Sequence, residues 1–287
     1  MQTTRGRLAT YFGRNIYLLC LLLLVLSGCG GDESAEPRIL FLRGEPAQLF
    51  VHNLMTGETV QQTDATFGLF DYVVSEGKVI TIQERGDGGS ELWLLDVDSG
   101  RYELLAECPE LRCDQPSWSA DNRRLIYVQR TLMGDTPRLY WLDSTTGETL
   151  PVFTDSAVLG YEPRLSGDDR YLSFVSYGET LELEPGHTLN DGHNHDLQPN
   201  TQKVIVYDFE TGKQIIVPNR MNSAGTWRPN GNEMLFSDLQ LFGERFGIHL
   251  LLIDPTTGDV RDISDARLVE DNTPAWSADG QQIVFTR

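Results

Sequence analysis

The side chains with the widest chemical reach in this 287-residue chain are three histidines set close together. His187, His193 and His195 fall within Gly178–Gln202, alongside Asp191 and Asp196. Imidazoles two residues apart, with a carboxylate beside them, can ligate zinc or another transition metal. The candidate metal ligands are therefore His187, His193, His195 and Asp196, and a transition metal in the 178–202 loop is the one candidate cofactor. Their spacing matches no established site, and polar loops gather such residues without function, so an ordinary loop stands as the alternative. His52 and His249 lie in or beside apolar runs and read as structural. No Gly-x-Ser-x-Gly occurs, which removes the nucleophile-elbow hydrolases, and no catalytic residue is assigned.

The four cysteines divide by position. Residues 1–28 read as a secretion signal: Arg5, Arg7 and Arg14 precede an apolar core of eleven residues, Ile16–Leu26, too short to span a bilayer comfortably. Cys20 lies inside that core. The boundary Leu26-Ser27-Gly28-Cys29 resembles the processing box of bacterial lipoproteins. That resemblance implies that Cys29 becomes the mature N-terminus and carries acyl chains, which at about 0.8 kcal/mol per buried methylene hold a protein on a membrane. The chain is thus expected to be exported and lipid-anchored in the cell envelope. Cys108 and Cys113 remain, in Cys-Pro-Glu-Leu-Arg-Cys. An even pair in an exported loop reads as a disulfide, whose loop entropy is worth about 2 kcal/mol. Two sulfurs without a neighbouring histidine make a poor zinc site.

The formal charge is −19, and it becomes −22 once the three leader arginines are removed. Such a surface repels nucleic acid and anionic lipid headgroups, so nucleic acid is excluded as a partner. Residues 29–37 form a short polar tether that leaves no room for a second domain before residue 38.

The elements that must position these groups announce themselves by repetition. Glu91–Gly100 has four gapless siblings, Gln48–Gly57, Arg138–Gly147, Lys203–Gly212 and His249–Gly258. Each is a short apolar run, then Asp or Asn, three variable residues and Gly. The runs are too short for helices, rich in strand formers, and apolar at nearly every position, which predicts strands covered on both faces. Asp96, Asp143, Asp208, Asp254 and Asn53 begin turns by accepting from backbone N–H groups ahead, and the glycines supply positive φ. The closing glycines are 43, 47, 65 and 46 residues apart, a propeller-like period. The 65-residue step holds the histidine loop.

A second repeat alternates with the first. Pro116–Arg130 and Thr273–Arg287 share Trp-Ser-Ala-Asp followed by an apolar strand, and Gly225–Asp238, Glu162–Tyr177 and Tyr72–Arg85 are weaker copies. Trp118-Ser-Ala-Asp-Asn and Trp276-Ser-Ala-Asp-Gly, followed by Leu125-Ile-Tyr or Ile283-Val-Phe, resemble the repeat of TolB-type β-propellers. The resemblance implies an all-β propeller of five to six four-stranded antiparallel blades over residues 38–287. It also implies a non-catalytic protein-interaction scaffold with an envelope protein as partner. Two other functions stay open: a metal-dependent, lyase-like propeller enzyme acting on acidic sugars, and a carbohydrate-binding module. The latter needs exposed aromatics, whereas the tryptophans occupy repeat positions that predict burial between blades.

Five hairpins of each kind fit five blades if Asn272–Arg287 pairs with Gln48–Thr63 to close the ring. Arg38–Arg43 also reads as a strand and competes for that place, which gives six blades with the last one incomplete. An open edge at Ile283–Phe285 invites pairing with other chains and is expected to be covered.

Overall fold

A computed structural model describes residues 37–132, 136–176, 203–217, 219–221 and 223–287. Among the described residues every regular element is a strand, and these strands form six antiparallel sheets in chain order. The first sheet holds β1 (Arg38–Arg43), β2 (Gln48–Asn53) and β3 (Thr59–Gln61). The second holds β4 (Leu69–Ser75), β5 (Lys78–Glu84), β6 (Ser90–Asp96) and β7 (Tyr102–Cys108). The third comprises β8 (Leu111–Trp118), β9 (Arg124–Thr131), β10 (Arg138–Asp143) and β11 (Thr149–Pro151). The fourth is β12 (Gly160–Leu165), β13 (Tyr171–Ser176), β14 (Lys203–Asp208) and β15 (Gln214–Val217). The fifth is β16 (Thr226–Trp227), β17 (Met234–Phe242), β18 (Arg245–Asp254) and β19 (Asp259–Asp262), and the sixth pairs β20 (Asn272–Trp276) with β21 (Ile283–Thr286).

The near-continuous apolar runs are explained by burial on both faces. Leu125 and Tyr127 of β9 join Ile80, Leu92 and Leu94 of the second sheet, while Ile126 and Val128 join Leu165, Leu172 and Phe174 of the fourth. Successive strand residues point to opposite faces, so one strand serves two interfaces. Tyr171, Val204 and Val206 meet Trp227, Met234 and Phe236 between the fourth and fifth sheets. Leu49 meets Val79 and Leu95 between the first and second, and Leu235 and Leu250 meet Trp276 and Ile283 between the fifth and sixth.

The structure decides between the two blade counts. β1 pairs with β2 along its whole length, from Arg38 opposite Asn53 to Arg43 opposite Gln48. It therefore holds the edge that five-bladed closure would have given to Asn272–Arg287, and there are six sheets. Four of them have four strands, the first has three and the sixth two. The expected cover over Ile283–Phe285 is not found among the described residues, where Val284 is 69% and Phe285 39% exposed.

The repeated corners behave as their chemistry requires. Asp96 accepts from Ser99 N–H at 2.8 Å, Asp143 from Thr145 and Thr146, Asp208 from Glu210, Asp254 from Thr256, and Asn53 from Met55 and Thr56. The glycines at 57, 100, 147, 212 and 258 all have φ between 70° and 79°. A Cβ on Gly100 would meet nothing within 4 Å, so only the left-handed backbone argues against a side chain there. Gly100→Ala should therefore destabilise by about 1 kcal/mol, read as a lower urea midpoint with an unchanged slope.

Candidate functional site

The first strands of the second to sixth sheets lie side by side, and four of them carry an irregularity in their pairing. Register shifts fall between Leu69 and Asp71, Asp114 and Ser117, Tyr161 and Arg164, and Asn272 and Ala275. Three of these bulges hold an X-Pro pair whose first residue has positive φ: Gln115 at 54°, Glu162 at 53° and Thr273 at 48°. Such backbone is held only where its surroundings over-determine it. Here the surroundings are the neighbouring sheet. Gln115 Oε1 accepts from Glu162 N–H at 2.7 Å, and Glu162 Oε2 accepts from Ala224 N–H at 3.3 Å. The Gln115 N–H also lies close enough to the Asp71 carboxylate to favour its charged form. The bulges at Gln115 and Glu162 thus each hand an acceptor to the next sheet, linking the third sheet to the fourth and the fourth to the segment leading into the fifth.

Ionic groups collect along this wall. Arg130 grips Asp114 through Nη2 at 2.5 Å and Nε at 3.0 Å. Asp114 is 4% exposed, and its Oδ1 has no hydrogen-bond partner among the described residues. The Arg112 guanidinium lies over the Phe70 ring at 4.3 Å and reaches Glu84 at 3.3 Å. Arg164, two sheets away from Asp71, acts on it electrostatically. Three carboxylates, Asp71, Asp114 and Glu162, therefore share the wall with three guanidiniums, Arg112, Arg130 and Arg164.

Burial raises the carboxyl of Asp71 above its usual range, against two backbone hydrogen bonds and Arg164. Burial likewise raises Asp114, against its hydrogen bonds from Arg130. The array offers charge, hydrogen bonds and an aromatic ring to whatever approaches it.

The residues singled out from sequence fall elsewhere. Cys29 and the set His187, His193, His195 and Asp196 lie outside the described residues. Among the described residues, no three His, Cys, Asp or Glu side chains are placed to hold a metal ion. Among them, too, no helix is long and apolar enough to cross a membrane. Cys108 and Cys113 are joined by a disulfide between β7 and β8, their Cα atoms 6.1 Å apart. His249 is buried, with Nδ1 2.6 Å from Asp262 and Nε2 3.1 Å from the Arg267 carbonyl oxygen, and His52 Nδ1 lies 2.8 Å from Thr59 Oγ1. Trp227 is buried between sheets and donates to the Arg164 carbonyl, as its repeat position implies. Trp93 is not so placed, because it lines an open cleft. The wall itself was missed from sequence, although Gln115-Pro116, Glu162-Pro163 and Thr273-Pro274 recur three residues before Trp118, Leu165 and Trp276.

No family model matches the chain, and no curated protein sequence matches it. Solved structures do. TolB from Acinetobacter baumannii superposes with a TM-score of 0.57 at 17% identity, covering 86% of this chain. The chain spans 58% of that protein's length. This is a TolB-like β-propeller fold. A TolB-type protein from Agrobacterium tumefaciens matches with a TM-score of 0.52 at 17% identity, covering 87% of this chain and 86% of its own. The propeller domain of the trilobed protease from Pyrococcus furiosus, described as having an open velcro topology, matches at 0.52 and 12% identity, covering 87% and 72%. At such identities the TolB-like propeller shares architecture with these proteins, and its activity has to be argued from its own residues.

Two outcomes follow from the wall. Arg130→Gln leaves a buried carboxylate without its partner and should cost about 2 kcal/mol, less than a fully buried pair because a third of the Arg130 side chain is exposed. Asp71 carries a raised pKa in the fold, so its contribution is most favourable below the unfolded value and is lost as pH rises through the folded one. Asp71→Asn should therefore match the wild type at pH near 3 and gain on it toward pH near 7, as followed by urea unfolding at each pH.

Proposed function

We propose that the protein is an envelope lipoprotein, anchored through acylated Cys29, whose propeller serves as a non-catalytic protein-interaction scaffold. The observation that carries this reading is the charge-balanced wall on the first strands. Its Arg112, Arg130 and Arg164, its carboxylates and Phe70 are held in fixed geometry by hydrogen bonds passed from sheet to sheet. Arginine and aromatic side chains dominate binding energy at protein interfaces, and a preorganised surface loses little entropy when a partner docks. A strongly one-signed wall would favour a polyion, whereas equal numbers of both signs suit the mixed surface of another protein. The TolB-like architecture supports the scaffold role, and the residues at 26–29 support the anchor.

Tagged protein cross-linked in intact envelopes should retain a discrete protein partner. Arg164→Glu should lose that partner under conditions where it is still fully folded, its urea midpoint lowered because the counter-charge of Asp71 is gone, and Cys29→Ser should move the chain from the membrane to the soluble fraction. Equal recovery of the partner by Arg164→Glu, or unchanged fractionation of Cys29→Ser, contradicts the corresponding half of the proposal.

A further inference from the structure

A second surface, between the first and second sheets and joined to the charged wall through the Glu84–Arg112 pair, has a different character. An open cleft of about 680 Å³ is lined by Asp64, Phe67, Gln83, Glu84, Arg85, Asp87, Glu91, Trp93 and Tyr102, among others. Its aromatic floor is rigid. Trp93 and Tyr102 stack with centroids 4.9 Å apart, Trp93 Nε1 donates to Glu91 Oε2 at 2.8 Å, and Gln83 Nε2 donates to the Tyr102 hydroxyl at 2.6 Å. Its rim is equally fixed. Gln48, inside the first sheet, accepts from Ala65 N–H at 2.8 Å and from Thr63 Oγ1 at 3.0 Å, and donates to the Ala65 carbonyl. Asp64 and Phe67 are therefore displayed from a clamped loop.

Hydrogen-bonding capacity in the cleft is lopsided. Arg85 is its one cation, and it already engages Asp87 and Glu91. Asp64 makes no hydrogen bond or ion pair among the described residues. Glu84 is held only at its exposed edge, by Arg112. Gln83 is 9% exposed, and its Oε1 accepts no hydrogen bond among the described residues. Phe67 is 56% exposed and rests on Gly86, where a Cβ would stand 2.9 Å from its ring. What is left over is a set of acceptors, a surplus of negative charge and an open ring face. That combination calls for a ligand that donates hydrogen bonds, carries positive charge and stacks on an aromatic ring.

We propose that this cleft binds an arginine side chain presented by a basic segment of a partner protein. The guanidinium lies over Phe67 and donates to Asp64, Glu84 and Gln83 Oε1. This surface adjoins the charged wall through the Glu84–Arg112 ion pair, and it gives the scaffold reading a second contact of defined chemistry. Phe67, Asp64 and Gly86 touch none of the wall's charged groups, so substitutions there let the two surfaces fail independently.

The test is calorimetric titration of the purified full-length protein with acetyl-Gly-Arg-Gly-Arg-Gly-amide, at an ionic strength of about 0.15 M to suppress long-range attraction. Phe67→Ala and Asp64→Asn should each weaken binding about three- to fivefold, the scale of an exposed cation–π or charged contact. Both residues are exposed, so neither change should lower the unfolding midpoint. Gly86→Ala, which displaces the Phe67 ring without removing it, should weaken binding in the same way. Glu58→Gln and Asp259→Asn, which remove acids elsewhere, should have no effect. Equal weakening by these control acids, equal affinity for the citrulline analogue of the peptide, or displacement of the peptide by neutral cellohexaose would each overturn the proposal.

Discussion

Burial of both faces of every interior sheet is the constraint on which the rest of this molecule depends. A single antiparallel sheet with Leu125, Ile126, Tyr127 and Val128 in sequence cannot present one face to water, because alternate residues would leave greasy side chains exposed on it. Radial stacking answers this: each sheet shields its neighbours, and five apolar clusters connect the six sheets in chain order. Burying a single large aliphatic or aromatic side chain is worth about 1.5–3 kcal/mol, so these interfaces dominate the balance against chain entropy. The hydrogen bonds between sheets are then small in energy and large in consequence, since they set how far one sheet can slide on the next.

Those hydrogen bonds occur at two levels. At the bulges, Gln115 and Glu162 each accept from backbone in, or leading into, the next sheet. At the turns leading out of the first strands, Asn122 donates to Glu76 at 2.9 Å, Asp169 accepts from Ala120 N–H at 2.8 Å, and Arg228 donates to the Gly280 carbonyl at 2.8 Å. Groups that would otherwise be unsatisfied at an irregular backbone become the means of aligning the sheets. The same alignment fixes the charged wall, so structural hydrogen bonding and the display of a binding surface are one arrangement. The buried Asp114 shows the tension in it: Arg130 compensates one carboxylate oxygen and leaves the other bare.

The periphery is freer. Where the first and second sheets meet, a loop clamped by Gln48 and a hairpin tip at Arg85–Gly89 enclose a cleft instead of closing tightly. Trp93 shows how position in a repeat can mislead. The tryptophans of the first-strand repeat, Trp227 and Trp276, pack between sheets and donate to neighbouring carbonyls. Trp93 belongs to a third strand, stands nearer the sheet's outer margin, and keeps part of its ring open to solvent.

Much of the architecture was determined by the sequence alone. The all-strand character, the order of hairpins, and the Asp/Asn…Gly corners all rest on local chemistry: runs of four apolar residues, a side-chain acceptor placed to meet the N–H groups ahead, and a residue able to take positive φ. Local rules of this kind operate within a few residues and are legible without coordinates. The pairing of β1 with β2, the gathering of Asp71, Asp114, Glu162, Arg112, Arg130 and Arg164, and the opening of the cleft around Phe67 and Trp93 were decided by tertiary structure. Each joins side chains tens of residues apart whose proximity depends on how neighbouring sheets register, and no spacing along the chain encodes that angle.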